Sequence, residues 1–492
     1  MAAKAVTSSA AEALEFADMQ GLVARAYGNL PFARYVLCRI NEPAAARAWL
    51  RGLTDSVFTA DRPSDDGPCL NLAFTWDGLR RLGLPDDALA TFPKAMAEGM
   101  VTPRRSRILG DVGASDPSTW RWGGGGPDRG ALHVLVMIFA GTEEALDQEH
   151  RTRRADYQAG GALEEVGEPI EGRLLADKGR EHFGFADGLS QPLVKGWPKP
   201  DQKSVHPPAP PTPVRFAEVD PGEIILGYTD NFGKPAEGPT VAGAGGAAPL
   251  PKAPWAKGRR DLGRNGSFLV FRQLAQDVVG FQRALASASH ACAMRGDGLS
   301  PEQVGAKMMG RWPSGAPIVL HPHRDPGTVE DNDFGYAEKD LHGLACPLGA
   351  HVRRANPRDS SEDSPEKTLK ATLNHRILRR GRPYGRAIAD PPAAGEEASA
   401  ERGLLFICLN SDIERQFEFV QQTWLNNPFF AGLNGEVDPV VGPLTETGAF
   451  TIPDDPVRRR VTGVGGYVTV RGGAYFFLPG IKALRFLSSI PG

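Results

Sequence analysis

Two stretches of this 492-residue chain hold side chains that could do chemistry. Residues 346–385, CPLGAHVRRANPRDSSEDSPEKTLKATLNHRILRRGRPYG, contain seven arginines (Arg353, Arg354, Arg358, Arg376, Arg379, Arg380 and Arg382) together with His351 and His375. Lys plus Arg (56) nearly balances Asp plus Glu (59) over the whole chain, so this local excess of guanidinium points to an anionic group nearby. A charge run taken alone also reads as a solvated basic face. His351 follows a small, apolar turn (Pro347, Leu348, Gly349, Ala350), which directs its imidazole inward, where each ring nitrogen needs a partner. In the second stretch, HFGFADGLSQP (182–192), Asp187 lies among glycines and aromatics. Gly184 and Gly188 permit a tight turn that presents the carboxylate to an apolar pocket, where a carboxylate stays ionised only beside a cation. A simple Asx turn is the other reading.

Other candidates are weaker. His321 and His323 form His-x-His in HPHRDP, half of a metal site with no third ligand placed, and His182 and His375 adjoin the two stretches as pocket-lining residues. Phosphate-binding glycine loops, HExxH and GxSxG are absent, which disfavours nucleotide, zincin and α/β-hydrolase chemistry. A formal charge of −3 supplies no field for nucleic acid or an anionic membrane, and the greasiest run, ALHVLVMIFAG, is too short to span a bilayer. Five scattered cysteines without a Cys-x-x-Cys pair fit neither a disulfide scaffold nor a zinc finger; Cys38, Cys69 and Cys408 read as buried free thiols. With no apolar leader or twin-arginine motif in the first twenty residues, the expected location is cytoplasmic.

The elements that must position these residues alternate. Residues 34–40, 69–75 and 132–140 read as strands, each followed by a helical stretch: PAAARAWLRGL, WDGLRRLGL and TEEALDQEHRTRRADY. The pattern returns at 267–272 before QLAQDVVGFQRALASA and at 404–409 before DIERQFEFVQQTW. Residues 466–478 read as a hairpin turning on Gly472 and Gly473, and the C-terminal FFLPGIKALRFLSSIPG as a final structural helix that leaves no docking tail for an encapsulated cargo. Gly and Pro make about 20 % of the chain, above the usual ~12 % but below low-complexity values, so long ordered connections are expected. The Pro-rich 205–214 marks the expected boundary between residues 1–204 and 215–492, and 236–250 reads as a surface loop.

The blocks GFADG (184–188), CPLGAHVRRANPR (346–358), HRILRRGRPYG (375–385), GLLFICLNSDIERQFEFVQQTW (403–424) and DPVVG (438–442) resemble the signature blocks of dye-decolorizing (DyP-type) haem peroxidases. Weaker similarity in DMQGLV, NLAFTWDGLRRLGLP and GMVTPRRSRILGDVG extends the resemblance over nearly the whole chain, nearest to the longer, elaborated branch. It implies an α+β fold of two ferredoxin-like domains, antiparallel sheets flanked by helices, enclosing one haem b.

By position, the resemblance makes His351 the proximal ligand of the haem iron and Asp438 the carboxylate that accepts its Nδ1–H. It makes Asp187 and Arg379 the distal pair, Arg358 a haem-propionate partner, and Leu404 and Phe406 the apolar side chains that narrow the distal pocket. The implied activity is reduction of hydrogen peroxide, with Asp187 moving the proton and Arg379 stabilising the leaving oxygen, followed by oxidation of an organic reductant through a ferryl, compound I-like state. Dyes too large for the pocket would be oxidised at a surface aromatic, with Trp424 and Tyr384 as candidates. Two other readings fit the same fold: a haem carrier or storage protein, in which Asp187 and Arg379 would be idle, and a deferrochelatase that removes iron from haem. An aspartate as distal base also implies an acidic optimum, because a carboxylate near ~3.9 stays ionised where an imidazole near ~6.5 is protonated.

Overall fold

The computed structural model describes residues 13–491 except 65–66, 125–131, 176–178, 198–213, 244–248, 294–297, 330, 387–400 and 446–447. The Pro-rich boundary at 205–214 therefore lies outside the described residues, apart from Val214.

The first half builds β1 (Phe32–Ile40), β2 (Cys69–Phe74), β3 (Val134–Ala140), β4 (Leu163–Glu165) and β5 (Ile170–Arg173). The second half builds β6 (Ser267–Gln276), β7 (Leu378–Arg379), β8 (Arg382–Tyr384), β9 (Gly403–Asn410) and β10 (Val468–Leu478). They form one ten-stranded sheet in the order β7-β9-β6-β10-β2-β3-β1-β4, with β8 beside β9 and β5 beside β1. Each half has the ferredoxin-like order, its first strand flanked by its third and fourth and its second at the edge of the third. Within the sheet the halves join where β2 runs beside β10, Phe74 opposite Phe477.

Helices follow the strands as their sequences require. Pro43–Leu53 starts on a proline at the first helical position and buries Ala46, Trp49, Leu50 and Leu53 on one face. Glu143–Gln158 is capped by Thr142, whose hydroxyl accepts from Ala145 N at 3.1 Å. Both pack with the C-terminal helix Ile481–Ser488 against one sheet face, over a core that includes Val36, Leu50, Val136, Phe268 and Leu484.

Two expectations change. Residues 466–478 are not a hairpin: Val468–Leu478 is one continuous strand, with Gly472 and Gly473 opposite Gln273 and Arg272 and a bulge at Arg471. The glycines serve close packing, since a Cβ on Gly472 would lie 2.5 Å from Trp122 Nε1 and one on Gly473 2.9 Å from Met100 Sδ. The 236–250 stretch is not merely a surface loop either, because Thr240–Ala242 pairs with Arg259–Asp261 and Val241 and Leu250 are buried in the core.

Candidate active site

A cavity of about 620 Å³ opens on the second half's share of the sheet. Period-two alternation turns Arg272, Leu274 and Gln276 of β6 toward it, while Leu269 and Phe271 enter the core behind. The register sets Phe406 opposite Arg272 and Leu404 opposite Leu274, so both apolar candidates line the same wall.

The loop 179–191 closes another side. Phe183 and Phe185 are buried against Phe281, with ring centroids 4.5 and 6.4 Å apart, and anchor the turn. Gly184 (φ 95°) and Gly188 (φ 80°) take the left-handed conformations expected on either side of Asp187. Asp187 N donates to Gly179 O at 3.1 Å, and its carboxylate faces the cavity. Arg379 arrives from β7, held opposite Cys408 of β9. Its Nη1 donates to Asp187 Oδ1 and its Nη2 to Leu189 O, both at 2.8 Å. Gln191, which no sequence signal marked, clamps the Arg379 backbone: it accepts from Arg379 N at 3.1 Å and donates to Arg379 O at 3.3 Å.

His351 opens the helix His351–Ala355 and lines the same cavity. Its Nδ1–H donates to Asp438 Oδ2 at 2.9 Å, which leaves Nε2 as the nitrogen available to a ligand. Asp438 is fully buried, and its other oxygen accepts from the amides of Val440 and Val441 at 2.9 Å each. Burial pushes this carboxyl up, but the His351 charge and hydrogen bond and the Val441 amide outweigh it, so Asp438 lies below the ordinary carboxylate value. Burial likewise pulls the His351 imidazole down, and Asp438 more than restores it, to above the usual histidine value.

The arginine run is not a solvated face. Arg353, Arg354, Arg358, Arg376, Arg380 and Arg382 are all buried. Arg380 and Arg382 spend their guanidiniums on backbone carbonyls of residues 22–30, tying the first half to β7 and β8. Arg353 and Arg354 brace the loops around His351 through carbonyls such as Cys346 O, at 2.8 Å, and Trp424 O, at 2.8 Å. Arg358 and Arg376 face the cavity with Arg311, which sequence reasoning missed. Their partners are neutral: Arg311 donates to Gly315 O, Ser190 Oγ and Asn332 Oδ1, Arg358 to Phe334 O, and Arg376 to Ser190 O. Among the described residues none of the three pairs with a carboxylate, and Arg376 Nε has no partner at all. Burial draws Arg311 and Arg358 down to about 10 and Arg376 to about 9. A cavity wall with three under-compensated cations and, elsewhere, one carboxylate-backed histidine fits haem b, whose propionates supply the missing charge and whose iron takes an imidazole nitrogen.

Trp424 stands on a wide helical segment made of two π-type turns, Glu414–Glu418 and Val420–Leu425. Its ring is edge-on to both His375 and Phe419, at 5.3 Å each, and His375 stacks on Phe419 at 3.7 Å. Trp424 and His375 line both the main cavity and a second one, so this aromatic trio forms part of the wall between them. His375 Nδ1–H is committed to Arg415 O at 2.5 Å. Tyr384 does not line the main cavity: it is buried, its hydroxyl donates to Glu401 at 3.1 Å, and its carbonyl accepts from His182 Nε2–H at 2.8 Å. His182 is likewise structural and not pocket-lining. Around His321 and His323, no group of three potential metal ligands occurs among the described residues.

Comparison with known proteins agrees with this geometry. The family description "Dyp-type peroxidase, C-terminal" matches residues 328–429. The chain is 31% identical to a dye-decolorizing peroxidase of Mycetinis scorodonius over 86% of its own length and 76% of the relative's. It is 32% identical to one of Exidia glandulosa, over 84% and 74%. Among solved structures, a dye-decolorizing peroxidase in complex with 2,6-dimethoxyphenol superposes with a TM-score of 0.75 at 27% identity, covering 97% of this chain and 100% of that one. The chain belongs to the dye-decolorizing (DyP-type) peroxidase family, whose members are haem b enzymes.

Proposed function

We propose that this haem peroxidase reduces hydrogen peroxide at the Asp187 and Arg379 pair and draws electrons from dyes, phenols and other organic reductants. The observation that carries the reading is the Arg379 to Asp187 hydrogen bond, at 2.8 Å, on the wall of the cavity that His351 also lines. Haem b, when bound, would supply the redox-active iron, with His351 Nε2 the nitrogen that would hold that iron and Arg358, Arg311 and Arg376 the cations that would hold its propionates. Asp187 takes a proton from one peroxide oxygen and returns it to the other, and Arg379 stabilises the charge that develops on the leaving oxygen. Asp438 keeps the His351 ring in one orientation and strengthens it as a donor. Leu404 and Phe406 keep bulky molecules and bulk water from the reacting oxygens. Electrons from dyes too large for the cavity enter through Trp424, which reaches both cavities; buried Tyr384 is the second candidate.

Five free, buried cysteines support a cytoplasmic location, and a complete ferredoxin-like strand set on either side supports the division at 205–214. A haem carrier would not need the Asp187 and Arg379 pair. Peroxide-dependent oxidation of 2,6-dimethoxyphenol by the haem-loaded protein tests the reading. Turnover that Asp187→Asn lowers by about 100-fold or more supports it; haem binding without turnover in the wild type refutes it.

A further inference from the structure

Glu181 is a carboxyl on the wall of the active-site cavity to which the mechanism above gives no task. It sits six residues before Asp187 on the same loop and lines the same cavity. Its two oxygens accept from Phe183 N at 2.9 Å, Phe185 N at 3.1 Å and Gln276 Nε2 at 2.5 Å. Gln276 ends β6, its backbone N bonded to Arg402 O at 2.9 Å, and its side-chain Oε1 is buried with no partner. That orphan acceptor is the informative atom. With the amide as it stands, Gln276 donates to an ionised Glu181; with the amide turned over, the same group accepts an O–H from a protonated one. The pair therefore has a complementary hydrogen bond in either protonation state, which a carboxylate serving only as a loop cap does not need.

We propose that Glu181, paired with Gln276, is the proton reservoir of the distal cavity. The proposal rests on the reading of Asp187 as the group that moves the peroxide proton. Converting hydrogen peroxide to two waters consumes two electrons and two protons; the organic reductant supplies the electrons. Glu181 delivers one of the protons toward Asp187, becomes a carboxylate held by Gln276 and the two amides, and is refilled from solvent. Burial, partly opposed by the Phe183, Gln276 and Phe185 hydrogen bonds, pushes the Glu181 carboxyl up to about 7, and the Asp187 charge adds to the rise. The reservoir is thus filled in acid and empties above neutrality. Among the described residues, the charged and titratable groups around it include Asp187 with its partner Arg379, His182, whose Nε2 is bonded to Tyr384 O, and Arg180, Arg402 and Asp277, which adjoin Glu181 or Gln276 through the chain or its hydrogen bonds.

Two readouts test the proposal. Infrared difference spectra of the haem-free protein between pH 5 and 9 should show a carboxylic acid C=O band that disappears with a midpoint near 7, is missing in Glu181→Gln, and shifts to higher pH in Gln276→Leu, because of the two alternative bonds that variant loses, the charge-assisted one to the ionised form is the stronger. In the haem-loaded protein, Glu181→Gln should slow the reductant-driven return to the resting spectrum by about tenfold below pH 7 and erase the alkaline limb, while the initial reaction with peroxide stays within about twofold. A band that persists in Glu181→Gln, a midpoint unmoved by Gln276→Leu, or a return step whose limb near pH 7 survives overturns the proposal; an equal loss at every pH assigns Glu181 to capping the loop and overturns it as well. If Asp187→Asn reacts with peroxide at the wild-type rate, the underlying reading has failed instead.

Discussion

Arg379 donates to Asp187 at 2.8 Å across 192 residues of chain, and this one bond joins a loop of the first half to an edge strand of the second. Neither side chain is held by the other alone: Arg379 is clamped by Gln191 and Leu189, and Asp187 by the buried Phe183 and Phe185 on the same turn. The Asp187 and Arg379 pair is thus preorganised by both halves. Arg379→Lys keeps the charge but loses the forked contact to Asp187 and Leu189, and should slow the reaction with peroxide by about 10- to 100-fold, measured by stopped-flow absorption. A wild-type rate in that variant would show that charge alone suffices.

Haem ligation separates the two histidines of the arginine-rich block. His351→Ala removes the nitrogen that would hold the haem iron and should retain haem poorly. His375→Ala removes a ring whose Nδ1 is already committed to Arg415 O, and its haem spectrum should stay that of the wild type. Asp438→Asn should weaken haem retention by about 10- to 100-fold, the usual cost of losing a ligand's buried hydrogen-bond partner. Haem titration of the purified apoproteins reads all three.

The unpaired cations make a prediction that does not involve turnover. Arg376 is buried with a free Nε and no carboxylate among the described residues, so it costs stability until an anion arrives. Arg376→Met should leave the haem-free protein as stable or more stable in thermal melts. The rise in Tm on adding haem should shrink. A less stable apoprotein with an unchanged haem-induced rise would mean that Arg376 serves the fold and not the propionates.

Substrate size should matter at Trp424. Trp424→Phe should lower oxidation of a bulky anthraquinone dye by about tenfold while sparing a small phenol that enters the main cavity. Equal effects on both, read from steady-state rates at saturating peroxide, would remove Trp424 from the electron route.

An aspartate as distal base predicts dye oxidation that peaks in acid, roughly between pH 3.5 and 5.5, since over most of that range a carboxylate is still available as a base whereas an imidazole is protonated and is not. Asp187→Asn should depress the reaction with peroxide across the whole range. An optimum near neutrality would contradict the assignment.

Much of this site was legible in the sequence because its parts come as local blocks: GFADG carries its own turn glycines, and the arginine run lies within forty residues of His351. What stayed hidden depends on contacts between distant segments. Arg311, in MGRWPSG, has no local mark, and only the fold brings it beside Ser190 and Asn332 on the cavity wall. Gly472 and Gly473 look like a turn because composition does not distinguish a glycine that bends the chain from one that admits Trp122 of the other half. The arginine run looks ambiguous for the same reason, since all seven members bind backbone carbonyls and only Arg358, Arg376 and Arg379 also face the cavity.

The most direct test of the account is the absorption spectrum of the haem-loaded protein before and after one equivalent of hydrogen peroxide, in the wild type and in Asp187→Asn. The wild-type spectrum should change at once and be restored by 2,6-dimethoxyphenol, and the change should be slowed by about 100-fold or more in the variant. A wild-type spectrum that peroxide leaves unchanged, or a variant that responds as fast as the wild type, would contradict it.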